Sequence, residues 1–260
     1  MIELSERQSW DAEWESQPLP VVYSEEQATP HGREILRSFR RLLAPDPAKT
    51  VLEIGAGVGG YLAYMSQTFG YRAHALDYSP VACRRLAENF RLLGLPVEVF
   101  ERDLLEGRLD GLPQFDLVYS LGLIEHFTDP MPVIAGHARL TKKGGLLLLG
   151  VPNFGGVNRV FLQIFKPWEF ADLNTATMDL DTWTRFEAPC GLEPIFKGYV
   201  GGWEPGLYVT AGATLKEKIG NRIFGLLGKA LRRRRRYWTV NSRWWSGYAL
   251  ALYRKTSEGT

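Results

Sequence analysis

The stretch "VLEIGAGVGGY", residues 51–61, is the strongest indication of the fold, because an apolar strand-like run leads here into a glycine-rich turn. Gly55, Gly57 and Gly60 match the pattern G-x-G-x-x-G, in which glycine lets the backbone turn sharply and approach a ligand closely. A carboxylate, Glu53, stands two residues before the first glycine. The stretch predicts a strand, a ligand-binding loop and a helix, and it leaves open which nucleotide-like cofactor the loop holds.

Strand-like and helix-like segments alternate around this motif. Short apolar runs predict strands, and apolar residues at helical spacing predict the helices between them. The strand segments are "TVLEIG", "RAHALD", "VEVFE", "FDLVYSL" and "GGLLLLGV", followed later by "LEPIFKGYV" and "GYALALYRK". The helical segments span residues 31–43, 59–68, 79–93, 130–140 and 180–191. This alternation predicts an α/β fold of the Rossmann-like type with a mostly parallel sheet of seven strands.

Three segments lie outside this alternation. Residues 1–44 predict an N-terminal arm that ends in a helix, and residues 45–260 predict one domain. Within that domain, residues 152–178 form a connection long enough to predict a lid. A second insertion, residues 201–246, joins the last two strands.

Composition sets broad limits on function. Of the 260 residues 45% are hydrophobic and 23% charged, as in a soluble globular protein, and a net charge of +2 does not by itself indicate a nucleic-acid partner. The N-terminus has no signal-like pattern, and no apolar run is long enough to span a membrane. The only cysteines, Cys83 and Cys190, are far apart and argue against a disulfide framework or a zinc site. A cytoplasmic protein is therefore expected.

Charge separates the two cofactors that such a loop can hold. A dinucleotide places an anionic pyrophosphate at the helix N-terminus, whereas S-adenosylmethionine carries a sulfonium and an amino-acid head. Glu53 suits the cationic head better than a pyrophosphate. Asp77, at the end of the next strand, would accept hydrogen bonds from ribose hydroxyls in either case, and Asp103 is placed to reach an adenine amino group. The residues favour S-adenosylmethionine over NAD.

The motifs "VLEIGAGVGGY", "ALDYSP", "ERDLLE", "FDLVYSLGLIEHFTDP" and "LTKKGGLLLLGVPN" occur in an order and spacing similar to the class I S-adenosylmethionine-dependent methyltransferases, including the ubiquinone-biosynthetic O-methyltransferases and the type 11 methyltransferases. The resemblance covers residues 31–152 well and the rest in outline. It implies a seven-stranded sheet whose last strand is antiparallel. It also implies these cofactor contacts: Glu53, Gly55, Ala56 and Gly57 on the methionine and ribose side, Asp77 and Tyr78 at the ribose, Asp103 and Leu104 at the adenine, and Ser120 beneath the methionine.

His126, in "LIEHFTDP", is the candidate general base, because it follows the fourth strand close to where the methyl group should lie. The alternative is that it braces the loop and the cofactor pocket. The resemblance to ubiquinone-biosynthetic enzymes implies a metal-ligating acid three positions before the Glu-His pair, but this chain has Gly122 there. No metal is therefore predicted.

Aromatic and polar residues outside the common core are the candidates for substrate contacts. They lie in the arm and after the fifth strand, where they can either close over a substrate or simply pack the lid. The predicted substrate contacts are Trp14, Tyr23, Asn153, Phe154 and Trp168, with Trp10 beside them in the arm.

Residues 214–245 combine a predicted amphipathic helix with a basic cluster. Leu215, Ile219, Ile223, Leu226, Leu227 and Ala230 share one helical face, with Lys218, Arg222 and Lys229 opposite. Five arginines, residues 232–236, and several aromatics follow. This chemistry fits peripheral contact with an anionic membrane. A helix packed on the sheet edge with a solvated charge run is an equal alternative, and RNA binding is the weakest of the three.

Together these features predict a methyltransferase that transfers a methyl group to a small-molecule or lipid-carried acceptor, with oxygen as the expected site. The alternatives are an RNA methyltransferase and a binding protein without turnover on the same scaffold. The usual Asn/Asp-Pro-Pro-aromatic signature of base-amine methylation is absent after the fourth strand, where the chain reads "SLGLIEH". A nucleic-acid partner is therefore not expected.

Overall fold

The computed structural model describes residues 7–105, 109–232 and 239–257. Seven strands form one sheet in the order β3-β2-β1-β4-β5-β7-β6. The first five strands pair in parallel, whereas β7 lies antiparallel to both β5 and β6. The strands are β1 (Thr50–Ile54), β2 (Arg72–Asp77), β3 (Val97–Glu101), β4 (Phe115–Leu121), β5 (Thr141–Pro152), β6 (Leu192–Trp203) and β7 (Ser246–Lys255). The predicted Rossmann-like fold and its antiparallel last strand are confirmed.

Helices connect the parallel strands as the periodicity predicts. Two of them begin with a side-chain cap followed by proline: Ser79 Oγ accepts from the Ala82 N–H, and Thr29 Oγ1 accepts from the Gly32 N–H. The helices are α1 (Arg7–Ser16), α2 (Pro30–Leu42), α3 (Gly60–Phe69), α4 (Pro80–Leu93), α5 (Met131–Leu140), α6 (Gly156–Phe165), α7 (Thr184–Glu187) and α8 (Leu215–Arg232). Short 3-10 helices span Ile124–His126, Pro167–Phe170, Thr175–Met178, Leu180–Trp183 and Pro205–Tyr208.

The sheet separates two hydrophobic layers because successive strand residues point to opposite faces. Leu117 and Leu148 belong to the layer shared with α2, α3 and α4. Val118 and Leu147 belong to the layer shared with α5 and residues 178–192. The parallel strands therefore end together at one edge, where loops from β1, β2 and β4 meet.

The N-terminal segment packs on this framework. Ile35, Leu36 and Phe39 of α2 are fully buried in the first hydrophobic layer. Helix α1 lies against α4, where Asp11 bonds to the Ser79 hydroxyl and Glu15 pairs with Arg84. These contacts place α1 above the loop edge of the sheet.

The C-terminal third contains the two insertions. The lid segment, residues 152–178, includes α6 and two 3-10 helices, and the excursion between β6 and β7 includes α8. The single helix predicted at residues 180–191 is instead a 3-10 turn followed by the four-residue α7, because Asp179 caps the turn and "APCG" ends the helix. Among the described residues, none of the helices has the length and apolarity needed to cross a membrane.

Candidate active site

A cleft opens at the carboxyl ends of β1, β2 and β4. Seven of the predicted site residues line it: Trp14, Gly55, Asp77, Tyr78, Asp103, Leu104 and His126. The other lining residues are Trp10, Ile54, Leu76, Arg102, Leu105, Gly122, Leu123, Phe127 and Val133. The loop edge of the sheet thus brings together residues from six separate segments of the chain.

The glycine loop is held to the second strand by one carboxylate. Asp77 Oδ2 accepts from the Gly57 N–H at 3.1 Å, and Asp77 Oδ1 accepts from the Ser79 N–H at 3.0 Å. Gly55 and Gly57 have φ values of +68° and +53°, which L side chains rarely adopt. A Cβ on Gly57 would lie 2.9 Å from the Trp14 ring, so the loop needs glycine for space as well as for conformation. Burial raises the pKa of Asp77 to about 6.

Glu53 is buried behind this loop with an unsatisfied carboxylate oxygen. Its side chain does not line the cleft, and its Oε2 has no hydrogen-bond partner among the described residues. Burial raises the pKa of Glu53 to about 8, and the neighbouring Asp77 contributes in the same direction. A buried acceptor without a donor is costly unless a ligand supplies one. A cation placed beside this carboxyl would favour its ionised form.

His126 closes the opposite side of the cleft. It ends the short 3-10 helix after β4, its Nδ1 lies 3.2 Å from the Asp172 carbonyl oxygen, and the ring meets Trp10 edge-on at 5.0 Å between centroids. Burial lowers the pKa of His126, so the neutral imidazole dominates near pH 7. This arrangement suits either predicted role, since a neutral imidazole accepts protons and the ring also supports Trp10.

The comparisons identify the family. A family of methyltransferase domains matches residues 25–191, which is more than half of the chain. The chain belongs to this family. Among its relatives, the ubiquinone biosynthesis O-methyltransferase of Alkalilimnicola ehrlichii is 28% identical over 147 residues, covering 56% of this chain and 57% of that protein. The probable tocopherol O-methyltransferase of Oryza sativa subsp. japonica is 31% identical over 130 residues, covering 46% and 35% respectively.

The chain thus spans between about a third and just over half of the lengths of these relatives. Among solved structures, the geranyl diphosphate C-methyltransferase from Streptomyces coelicolor A3(2), in complex with Mg²⁺, geranyl diphosphate and S-adenosyl-L-homocysteine, covers 96% of this chain and 98% of its own. The TM-score is 0.58 at 15% identity, which shows a shared fold. The resemblance to class I S-adenosylmethionine-dependent methyltransferases and the predicted cofactor are confirmed.

The methyltransferase cleft fits this cofactor on three observations. The Gly57 position has no room for a side chain, the Asp77 carboxylate faces the cleft, and Glu53 holds an unpartnered buried oxygen. On the predicted adenine side, Asp103 Oδ1 accepts from the Leu105 N–H at 2.8 Å. Ala56 is buried in the helix-side core and lies outside the cleft lining.

Ser120 is used inside the methyltransferase core. Its hydroxyl lies 3.0 Å from His137 Nε2, and His137 Nδ1 lies 2.7 Å from the Val133 carbonyl. Because a carbonyl only accepts, the proton is on Nδ1, and Ser120 therefore donates to Nε2. Burial lowers the pKa of His137 to about 4, which keeps this ring neutral. Ser120 lies outside the cleft lining, and its role at the methionine end stays a prediction.

The predicted substrate residues separate into three groups. Trp14 lines the cleft, and Tyr23 lines a second cavity beside the arm. Asn153 is buried and donates to the carbonyls of Arg243 and Ser246, while Phe154 packs edge-on against Phe170. Trp168 is 59% exposed. The structure does not bring the last three to the cleft.

Two acidic residues with unusual surroundings were not predicted from the sequence. Glu125 is almost fully buried, its Oε2 has no hydrogen-bond partner among the described residues, and burial raises its pKa to about 8. Glu204 pairs with His31 at 2.7 Å. Glu125 was visible as half of the Glu-His pair, but nothing near Glu204 in the chain indicates its partner. Within the described ranges, no group of three or more His, Cys, Asp or Glu is arranged to hold a metal ion.

Proposed function

We propose that the protein transfers a methyl group from S-adenosylmethionine to an oxygen atom of a lipophilic small molecule. The observation that carries the proposal is the buried Glu53 carboxyl, whose Oε2 has no hydrogen-bond partner among the described residues, behind the Asp77–Gly57 contact. A cationic amino head suits the first residue, and a ribose diol suits the second. A loop that bound only a pyrophosphate would gain nothing from a buried acid behind it.

In this proposal the protein's own residues bind the cofactor and orient it toward the acceptor. Asp77 accepts from the ribose hydroxyls, Glu53 compensates the positive charge, and Trp10 and Trp14 exclude water above the loop. When bound, S-adenosylmethionine supplies a methyl group on a good leaving group, so alignment of the acceptor is the protein's main task. His126 remains the base predicted from sequence, with bracing of Trp10 as its alternative role.

Oxygen as the acceptor atom is supported by the relatives, which are named O-methyltransferases of ubiquinone biosynthesis and of tocopherol. Both names refer to lipid-soluble compounds. An RNA methyltransferase and a binding protein without turnover are the competing functions. We favour turnover because the chain keeps Glu53, Gly55, Gly57 and Asp77, and a scaffold without catalysis has no physical need for this set. Gly55 and Asp77 line the cleft, and Asp77 accepts from the Gly57 N–H.

The test is incubation with methyl-labelled S-adenosylmethionine and three separate fractions: a lipid extract, a polar metabolite extract and total RNA. We expect label in an alkali-stable ether in the lipid fraction, and much less label with the Asp77→Ala variant when the cofactor is below saturation. Asp110→Ala, at an exposed residue paired with Arg139, is the matched control. Label in RNA, or cofactor binding without label in any fraction, would overturn the proposal.

We also propose that α8 brings the protein to anionic membranes. The helix packs on the molecule through Phe224 and Gly220, which meet Phe161 and Phe165 of α6. The apolar face predicted from sequence points elsewhere: Leu215, Ile219, Ile223 and Leu226 are between 51% and 74% exposed. Four large apolar side chains on one helix face therefore have little protein contact to bury them.

Charge indicates which partner suits this face. Residues 205–246 contain ten Lys and Arg and one acid, Glu217, whose carboxylate accepts from the backbone at residues 213 and 214. Lys218, Arg222 and Lys229 are exposed on the helix itself. The structure describes the backbone of Arg232 but not residues 233–238, which hold the other four arginines of the cluster. Basic side chains beside an exposed apolar face match an anionic bilayer better than a folded RNA.

Co-sedimentation with vesicles tests this surface. We expect binding to phosphatidylglycerol-containing vesicles and not to neutral phosphatidylcholine, with strong weakening at about 0.5 M salt because the Debye length shortens. Replacing Leu215, Ile219, Ile223 and Leu226 by Ser should abolish the salt-resistant part. Replacing exposed Leu92 and Ile195 by Ser is the control, since these residues lie on other elements. Equal binding by the α8 variant, or tighter binding to RNA than to vesicles, would contradict the membrane proposal.

A further inference from the structure

A second cavity of about 550 Å³ lies beside the N-terminal arm. Its walls come from residues 18–32 and from Tyr61, the second residue of α3. The lining is mostly apolar, with Pro18, Leu19, Pro20 and Val21 on one side, while Tyr23, Tyr61 and His31 provide aromatic rings. A cavity of this size and composition suits a small aromatic or prenyl-like molecule.

One of the titratable groups in this lining is a histidine paired with a carboxylate. His31 Nδ1 lies 2.7 Å from Glu204 Oε2, and the same oxygen accepts from the His31 backbone N–H at 3.1 Å. Glu204 follows β6 and its side chain is 7% exposed, whereas the His31 side chain is 26% exposed. The ring also lies parallel to Tyr248 at 5.9 Å between centroids. The ring hydrogen bond to a buried carboxylate and the stacking on Tyr248 therefore fix the orientation of this imidazole.

The pairing determines which ring nitrogen is basic. A carboxylate only accepts, so the proton is on Nδ1 and the lone pair is on Nε2. Thr29 Oγ1 lies 3.3 Å from both ring nitrogens, and it also accepts from the Gly32 N–H. The contact between the Thr29 hydroxyl and Nε2 is long, and the same hydroxyl also contacts Nδ1 and the Gly32 N–H. The hydroxyl of a ligand in the cavity can therefore replace Thr29 at Nε2.

The cavity adjoins the glycine loop at Tyr23, whose backbone N–H donates to the Gly60 carbonyl at 3.3 Å. Glu53 is buried behind this loop and contributes to the raised pKa values of Tyr23 and Tyr61, although its side chain lines neither the cavity nor the cleft. Tyr23 also packs on Gly60, where the glycine loop enters α3. The end of the cleft assigned to the methionine head is therefore the end that adjoins the arm cavity.

We propose that the arm cavity binds the methyl acceptor as a phenol and that His31, oriented by Glu204, removes the phenolic proton. This inference rests on the proposed O-methylation. A phenol is favoured over an aliphatic alcohol because a hydroxyl with a pKa near 10 is within reach of a neutral imidazole. Burial and the neighbouring Tyr23 raise the pKa of Tyr61, so its hydroxyl stays protonated and can donate to the acceptor oxygen.

The proton balance is simple. The acceptor O–H bond breaks and an N–H bond forms at His31 Nε2, while the oxygen keeps the electron pair with which it takes the methyl group. The electron pair of the broken carbon–sulfur bond stays on sulfur. Glu204 compensates the imidazolium charge, and the partly exposed ring then returns its proton to solvent.

The first experiment tests whether His31 is the general base. With catechol and 4-octylphenol as probes, His31→Ala should lower kcat by about 10²-fold while the KM for the phenol stays within about threefold. Added imidazole should restore part of the lost rate, and Glu204→Gln should lower kcat by less. S-adenosylhomocysteine affinity should be unchanged in both variants. Full kcat in His31→Ala, or a loss that imidazole does not restore, would overturn the assignment of the base.

The second experiment does not depend on turnover. Fluorine NMR of 4-fluorophenol with the protein loaded with S-adenosylhomocysteine should show line broadening that Ala28→Trp abolishes by filling the cavity, and that His31→Ala retains. If the wild-type protein methylates no probe but Ala28→Trp abolishes phenol binding, the proposed reaction and the base fail while the cavity assignment stands. Phenol binding that is unaffected by Ala28→Trp would refute the cavity assignment.

Discussion

Asp77 Oδ2 accepts a hydrogen bond from the backbone N–H of Gly57 at 3.1 Å, which ties the glycine loop to the end of the second strand. The same carboxylate also accepts from the Ser79 N–H and faces the cofactor cleft. One residue therefore shapes the loop and presents an acceptor to the ligand. Its two functions can be separated by experiment.

Asp77→Ala should weaken S-adenosylhomocysteine binding by about 1.5–3 kcal/mol, because hydrogen bonds from the ribose to a charged acceptor are lost. Asp77→Asn keeps an oxygen that can accept from the Gly57 N–H, so it should lose less S-adenosylhomocysteine affinity than Asp77→Ala. Calorimetric titration measures both, with Asp110→Ala as the control and the melting temperature as a check on the loop. An unchanged affinity in Asp77→Ala would remove Asp77 from the binding site.

We predict that the Glu53 carboxyl releases a proton when the cofactor binds. Burial raises its pKa to about 8, so the carboxyl is mostly protonated at pH 7. A cation placed beside it favours the ionised form, and the proton leaves to solvent. Titration with S-adenosylmethionine in buffers of different ionisation enthalpy should show this release near pH 7, and affinity should rise as pH rises toward 8.

Glu53→Gln is the matched variant, because it keeps the shape and removes the titration. It should bind more weakly and without the buffer-dependent heat. Equal proton release in the two proteins would show that another group is responsible.

The fold follows from local sequence because each strand and helix has its own hydrophobic period, and the cofactor motifs lie at or just after the ends of three strands that are successive along the chain, β1, β2 and β3. Gly55, Asp77 and Asp103 could be placed for that reason. The His31–Glu204 pair could not, since 173 positions separate its members and only the packing of α2 against β6 joins them. The exposure of the α8 apolar face could not be predicted either, because periodicity identifies an apolar face but does not show which neighbour covers it.

Glu125 makes stability depend on pH in a particular direction. Its carboxyl titrates near 4.5 when unfolded and near 8 when folded, so the folded protein holds a proton that the unfolded chain has lost between these values. The favourable contribution is complete below pH 4.5 and is lost as pH rises through about 8, by at most about 1.4 kcal/mol per pH unit. Glu125→Gln removes this pH-dependent contribution to the free energy of unfolding.

The melting temperature of Glu125→Gln relative to the wild type should therefore increase steadily between pH 5 and 8. Using the difference between the two proteins cancels the titrations of Glu53, His126 and His137, which are present in both. A difference that stays constant over this range would mean that Glu125 ionises normally in the folded protein.

His126 and His31 compete for the role of base, and the two predictions differ in what they change. The His126 ring supports Trp10 edge-on at 5.0 Å across the cleft. An aromatic contact of this kind contributes about 0.5–1.5 kcal/mol, so His126→Ala should weaken cofactor binding by roughly twofold to tenfold. With saturating cofactor, its kcat should stay within about threefold of the wild type, whereas His31→Ala loses about 10²-fold. Rates at saturation together with calorimetric affinities separate the two, since a brace changes binding and a base changes turnover. A kcat loss of 10²-fold in His126→Ala with unchanged affinity would instead make His126 the base and leave His31 a residue that positions the arm.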